Sequence, residues 1–119
     1  MTIKVGGETI ICINVYEWVK NKTELEKHFF HFANEGKRGW VNADLLKRTG
    51  FKAGVLDIFM SKGNGDHSGL WIEVKDKGKK PTQVQKDFMK QMNDDGYYAT
   101  WFDNFEDIIH CIKWFYSLS

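Results

Sequence analysis

The sequence predicts an α/β fold, with one mixed β-sheet of about four strands flanked by helices. Short apolar runs bounded by glycine and polar residues alternate with longer segments whose apolar residues recur every three or four positions. The resulting order of elements is α-β-α-β-β-α-β-α. A chain of 119 residues, of which 42% are hydrophobic, can bury one core. We therefore expect a single domain over residues 1–119.

The predicted strands are four runs rich in large apolar and β-branched residues. They cover residues 29–32, 55–60, 70–75 and 97–102. We expect the first of them to be largely buried. The polar, Gly-rich stretch 61–69 favours a hairpin loop, which would make the second and third strands neighbours.

Four helices are predicted from stripes of apolar residues that recur with the helical period. The first covers residues 8–20, the second contains residues 45–46, and the third and fourth run onward from residues 82 and 105. Two of these stripes begin with a polar side chain, Glu8 in the first helix and Gln85 in the third. Glu8 either faces the body of the domain or is a first-turn acid that the helix dipole stabilises. Gln85 stands three residues after Thr82, and the capping box that this spacing predicts would account for it without any further role.

The composition favours a soluble, intracellular, cytoplasmic protein, because no run approaches a membrane span and no leader pattern opens the chain. Cys12 and Cys111 lack metal-ligand spacing, which indicates buried thiols. Residues 37–86 contain 11 Lys/Arg and 5 Asp/Glu, a net charge of +6 against −5 in the remainder. This basic middle is typical of a surface that meets a polyanion, although an unevenly charged solvated surface explains it as well.

Asp57, Glu73 and Lys75 are charged residues on the two predicted hairpin strands. Because side chains alternate along a strand, Glu73 and Lys75 share one face, and Asp57 faces opposite to Leu56 and Ile58. The three charges could therefore meet on one face of the hairpin. Two carboxylates and a lysine suit a hard divalent cation and a phosphodiester, and they suit a buried ion pair as well.

The wider pattern resembles the VRR-NUC family of the PD-(D/E)xK nucleases. The matching features are His31-x-x-Asn34-Glu35-Gly36-x-Arg38, Leu45-Leu46-Lys47 with Gly50, Gly54-Val55-Leu56-Asp57, Gly69-Leu70-Trp71-Ile72-Glu73-Val74-Lys75, Thr82-x-x-Gln85 and Gly96-Tyr97. They keep their order and spacing over nearly the whole chain. One departure is Leu56, where the family usually has a proline that shapes the strand and does no chemistry. The resemblance implies a restriction-endonuclease-like core.

The resemblance also implies a role for each matching residue in a metal-dependent active site. Asp57 and Glu73 would bind Mg²⁺ or Mn²⁺, and Glu8 would complete the metal shell. Lys75 would orient or activate the attacking water and offset charge on the phosphate. Gln85 would border the site, so the implied catalytic residues are Asp57, Glu73, Lys75 and Gln85.

DNA contacts are implied at the mouth of this site and in the basic loops. The candidates are Asn34, Glu35, Lys37, Arg38, Lys79 and Lys80. The cations among them would hold phosphates without reading base sequence.

The function that the resemblance implies is that of a structure-specific DNA endonuclease of the stand-alone phage or bacterial type. Such a protein would resolve four-way (Holliday) junctions as a homodimer, in the host cytoplasm if it is phage-encoded. Two alternatives stay open. One is a nuclease on flap or linear DNA, including a restriction-like enzyme. The other is a catalytically idle DNA-binding module with a structural ion pair.

Overall fold

The computed structural model describes residues 5–32 and 43–119. Its elements, in chain order, are α1 (Gly7–Lys22), β1 (Phe29–His31), α2 (Ala43–Arg48), β2 (Ile58–Met60), β3 (Leu70–Val74), α3 (Gln83–Asp94), β4 (Tyr98–Phe102) and α4 (Phe105–Tyr116). A short 3₁₀ helix, Glu26–His28, precedes β1. The predicted α/β class and order of elements are confirmed.

The four strands form one mixed sheet in the order β1-β2-β3-β4. β2 pairs antiparallel with both β1 and β3, and the β2–β3 hairpin has the register Ile58↔Ile72. β4 runs parallel to β3, because the chain returns through α3 before it rejoins the sheet. The amino end of β2 and the carboxyl end of β3 therefore lie side by side at one end of the central strands.

Helices cover both faces of this sheet. Leu70, Ile72 and Val74 alternate along β3 and pack on α1 and α4 in the larger core. On the other face, Trp71 packs against α3 in a smaller cluster built on Leu56, Met89 and Ala99. Odd-numbered residues of β3 therefore face α3, and Glu73 is one of them.

Two expectations about strand burial were wrong. β1 is not largely buried, because it is an edge strand of the sheet; Phe30 is 47% exposed and His31 is exposed as well. Leu56 does not share a face with Ile58, since it packs in the α3 cluster while Ile58 packs in the larger core. The chain bends at Asp57 before β2 begins, so the two-residue alternation does not extend back to Leu56.

The two cysteines are not joined in a disulfide; Cys111 is buried and Cys12 is half-buried. Burial raises the pKa of the Cys111 thiol to about 11, which keeps it protonated and unreactive at neutral pH. Within residues 5–32 and 43–119, no helix combines the length and apolar character that crossing a bilayer requires.

Candidate active site

Asp57 lies opposite Glu73, where the amino end of β2 meets the carboxyl end of β3. The β2–β3 pairing ends at Ile58↔Ile72, and one step further along both chains come Asp57 and Glu73. Oδ2 of Asp57 accepts a hydrogen bond from the backbone N–H of Val74 at 2.9 Å, which fixes the carboxyl group against the end of β3. The predicted meeting of these two acids is therefore what the hairpin register produces.

Glu73 is the one charged residue that is buried in the described part of the chain, with 2% exposure. Its Oε2 accepts from Nε2 of Gln85 at 2.8 Å and lies 3.3 Å from Nζ of Lys75. Among the described residues, its buried Oε1 has no hydrogen-bond donor. Burial, and next the charge of Asp57, raise the pKa of Glu73 to about 8, although Lys75 opposes the shift.

The carboxyl groups of Asp57 and Glu73 are close enough for a hydrogen bond when one of them carries a proton. Two adjacent acids in a region of low water content cannot both ionise cheaply, so without a cation they hold one proton between them near neutral pH. A divalent cation could replace that proton.

Lys75 follows the last residue of β3, and its backbone N–H donates to the carbonyl oxygen of Phe102 at 3.0 Å. This bond continues the β3–β4 pairing by one residue and holds Lys75 at the carboxyl end of β3. The side chain is only 12% exposed and forms the ion pair with Glu73 that the sequence offered as an alternative to metal binding.

Gln85 has two structural roles at once. Its Oε1 accepts from the backbone N–H of Thr82 at 2.9 Å, and its own backbone N–H donates to Oγ1 of Thr82 at 3.3 Å. These two bonds are the predicted capping box of α3. They also turn the amide NH₂ of Gln85 toward Glu73. The capping role and the active-site role are therefore carried by opposite ends of one amide.

Glu8 lies in the first turn of α1 and is half-buried. Its pKa is raised, chiefly by burial; the charge of Lys75 opposes the shift and that of Asp57 adds to it. The backbone N–H of Asp76 lies near the Glu8 carboxylate and lowers the pKa in turn. Glu8 therefore faces the body of the domain, near Asp57 and Lys75, as one of the two sequence interpretations predicted.

Asp76 is a further acid beside the carboxyl end of β3, and it is not part of the predicted site. A Cβ atom at Gly7 would collide with the Asp76 carboxyl group, so a larger residue there would require that side chain to turn aside. The available signal was an acid directly after Lys75, together with a glycine directly before Glu8.

The donor set fits a hard divalent cation. Carboxylate oxygens are its preferred ligands, and Glu73 presents a buried oxygen without a donor beside a second acid. In the described ranges, however, no three Asp, Glu, His or Cys side chains stand close enough to form a ready-made metal cluster. A cation there would rest on Asp57 and Glu73, with Glu8 nearby.

The predicted DNA contacts fall into two groups. Lys79 and Lys80 are exposed in the loop between β3 and α3, where a phosphate could reach them. Asn34, Glu35, Lys37 and Arg38 lie outside the described residues.

A solved structure described as a VRR_NUC domain protein shares this architecture. The two superpose with a TM-score of 0.82 and 25% sequence identity, over 98% of this chain and 93% of the other. This chain is therefore similar to a VRR-NUC domain in fold over nearly its whole length. That likeness confirms the restriction-endonuclease-like fold and supports a nuclease-type function. No protein-family model and no curated protein matches the sequence of this chain.

Proposed function

We propose that this protein is a VRR-NUC-type, Mg²⁺- or Mn²⁺-dependent endonuclease that cuts branched DNA, with the four-way junction as its substrate and a homodimer as its working form. The observation that carries the metal dependence is the environment of Glu73. A buried carboxylate with an oxygen that lacks a donor is costly unless a proton or a cation compensates it. Shifted acids of this kind gather at functional sites.

Asp57 and Glu73 would hold the ion through their carboxylate oxygens. When bound there, Mg²⁺ or Mn²⁺ would polarise a phosphoryl oxygen and lower the pKa of a bound water. Gln85 keeps one oxygen of Glu73 occupied, which leaves the other free for the cation. Lys75 places a positive charge beside Glu73 and would offset the negative charge that develops on the phosphate.

Positive charge near the site supports DNA as the substrate. Lys79 and Lys80 are exposed in the loop that follows Lys75, and the basic middle of the chain includes them. A two-fold dimer would present two such sites, which suits a pair of cuts in a four-way junction. Trp114, 59% exposed on α4, is an aromatic residue available for that interface.

A panel of substrates tests this proposal. The purified protein should cut a four-way junction in Mg²⁺ or Mn²⁺ faster than flap, linear duplex and single-stranded DNA. Asp57→Asn removes the charge but keeps an oxygen for the Val74 N–H, so it should abolish cutting without unfolding the protein. Asp94→Asn, which alters only an exposed ion pair on α3, is the matched control.

Cutting that survives Asp57→Asn would refute the assignment of the site. Equal cutting of junction and linear duplex would refute the branched substrate while leaving the nuclease in place. Sedimentation of the protein with and without a junction measures whether a dimer is the active form.

A second candidate function is a catalytically idle DNA-binding module, and the Lys75–Glu73 ion pair favours it. The two candidates differ in what Glu73→Gln does. If the acid is a ligand, calorimetric Mn²⁺ binding is lost. If it serves only the ion pair, the wild type binds no Mn²⁺ and the substitution changes only stability.

A further inference from the structure

Phe32 is a large apolar side chain that remains 39% exposed beside the two acids. It follows β1 directly, and its backbone N–H donates to the carbonyl oxygen of Asp57 at 2.7 Å. Since Asp57 lies opposite Glu73, these three residues form one row across neighbouring strands. Two strand spacings separate the ends of the row, so the α carbons of Phe32 and Glu73 are roughly 10 Å apart.

The ring of Phe32 is supported from behind by other aromatic rings. It stacks on Trp71 with ring centroids 5.9 Å apart and planes 25° apart. Trp71 in turn packs on Phe59 at 4.4 Å and meets the edge of Phe88 in α3 at 5.0 Å. Because Trp71 precedes Glu73 by two residues on β3, the ring of Phe32 lies on the same face of the sheet as the acids.

We propose that Phe32 is a substrate-positioning residue, whose exposed ring stacks on an unpaired nucleobase of the DNA strand held at Asp57 and Glu73. The inference rests on the proposed nuclease function and adds a contact that selects DNA structure. A distance of roughly 10 Å equals about three base-stacking steps of 3.4 Å, so the base belongs within three nucleotides of the phosphate that is cut.

The chemistry of the ring determines what it can recognise. A phenyl group has no hydrogen-bond donor or acceptor, so it accepts any base and reads no sequence. It requires a base whose face is free, and branch points supply such bases whereas an intact duplex keeps its bases stacked. Phe32 would therefore favour branched over linear DNA without any sequence-reading element.

Three substitutions at Phe32 and one matched control separate stacking from a merely apolar contact. Phe32→Leu keeps an apolar side chain on Trp71 but removes the flat ring, Phe32→Ala removes both, and Phe32→Trp keeps a stacking surface. Phe30→Ala is the control, because Phe30 is the same residue type on the same strand, 47% exposed, and two residues further from the row.

The first measurement is cleavage of a four-way junction. Alanine and leucine at position 32 should lower kcat/KM about tenfold to a hundredfold, the range expected from losing one base–aromatic stack, and tryptophan should restore it. The second measurement places 2-aminopurine at each of three nucleotides on either side of the branch point, in the Asp57→Asn background, so the probe positions are defined whether or not the DNA is cut. Its fluorescence should be quenched at one position, and that quenching should disappear with Phe32→Leu.

The inference is wrong if Phe32→Leu cuts and quenches like the wild type, or if Phe30→Ala loses as much as Phe32→Ala. Failure of the proposed function gives a different result. In that case the wild type cuts no DNA, while the fluorescence of the Asp57→Asn protein still reports whether Phe32 stacks on a base.

Discussion

The pH dependence of stability in metal-free protein tests the state of Glu73 directly. Its pKa is raised from 4.5 in the unfolded chain to about 8 in the folded protein. Between these two values the folded state holds a proton that the unfolded chain has released. Raising the pH through this window therefore lowers the free energy of unfolding, with a slope of up to about 1.4 kcal/mol per pH unit from this one proton.

The stabilising contribution is complete below pH 4.5 and is lost as the pH rises to about 8. Other groups titrate in the same window, so the quantity to measure is the difference between wild type and Glu73→Gln. The variant keeps an oxygen for the Gln85 amide but cannot ionise. Urea unfolding in EDTA at intervals from pH 5 to pH 9 gives that difference, which should shift by a few kcal/mol in favour of the variant.

Mn²⁺ should reverse the trend for the wild type, since a cation binds the ionised acid and does so more tightly as the pH rises. A difference between wild type and Glu73→Gln that stays constant within about 0.5 kcal/mol across the whole window would refute the reasoning, since one shifted proton gives a larger slope.

Two further substitutions test the contacts that α3 and α1 make at the carboxyl end of β3. Gln85→Glu keeps an acceptor for the capping box but places a carboxylate against Glu73, so junction cleavage should fall at least tenfold while α3 stays folded; wild-type cleavage would contradict this. Gly7→Ala forces the Asp76 carboxyl group to turn aside and should cost about 1 kcal/mol in urea unfolding. Gly6→Ala, which meets nothing within 4 Å, is its control, and equal costs for the two would count against the close contact.

Local patterns were sufficient to predict the elements of this fold. Short runs of large apolar and β-branched residues, bounded by glycine and polar residues, predicted all four strands, and the spacing of Thr82 and Gln85 predicted how α3 begins. The exposure of β1 could not be predicted in the same way, because it depends on which strand lies at the edge of the sheet. That order arises from pairing between distant segments.

The site shows the same division between local and long-range information. Alternation along β3 predicted the side on which Glu73 lies, and the hairpin brought Asp57 to it. Leu56 broke the alternation, since a bend at Asp57 ends the strand pattern. The contact between Glu8 and the backbone of Asp76 joins the first helix to the end of a strand 68 residues later in the numbering, and no local pattern encodes such an approach.

The double role of Gln85 couples the site to the fraying of a helix end. The first turn of α3 opens and closes spontaneously, as helix ends do, and each opening releases the amide that holds Glu73. The coupling is reciprocal, so anything that immobilises Glu73 must also slow that opening. Binding of a cation by Asp57 and Glu73 should therefore slow deuterium uptake at the backbone amide of Gln85, 12 residues after Glu73 in the sequence.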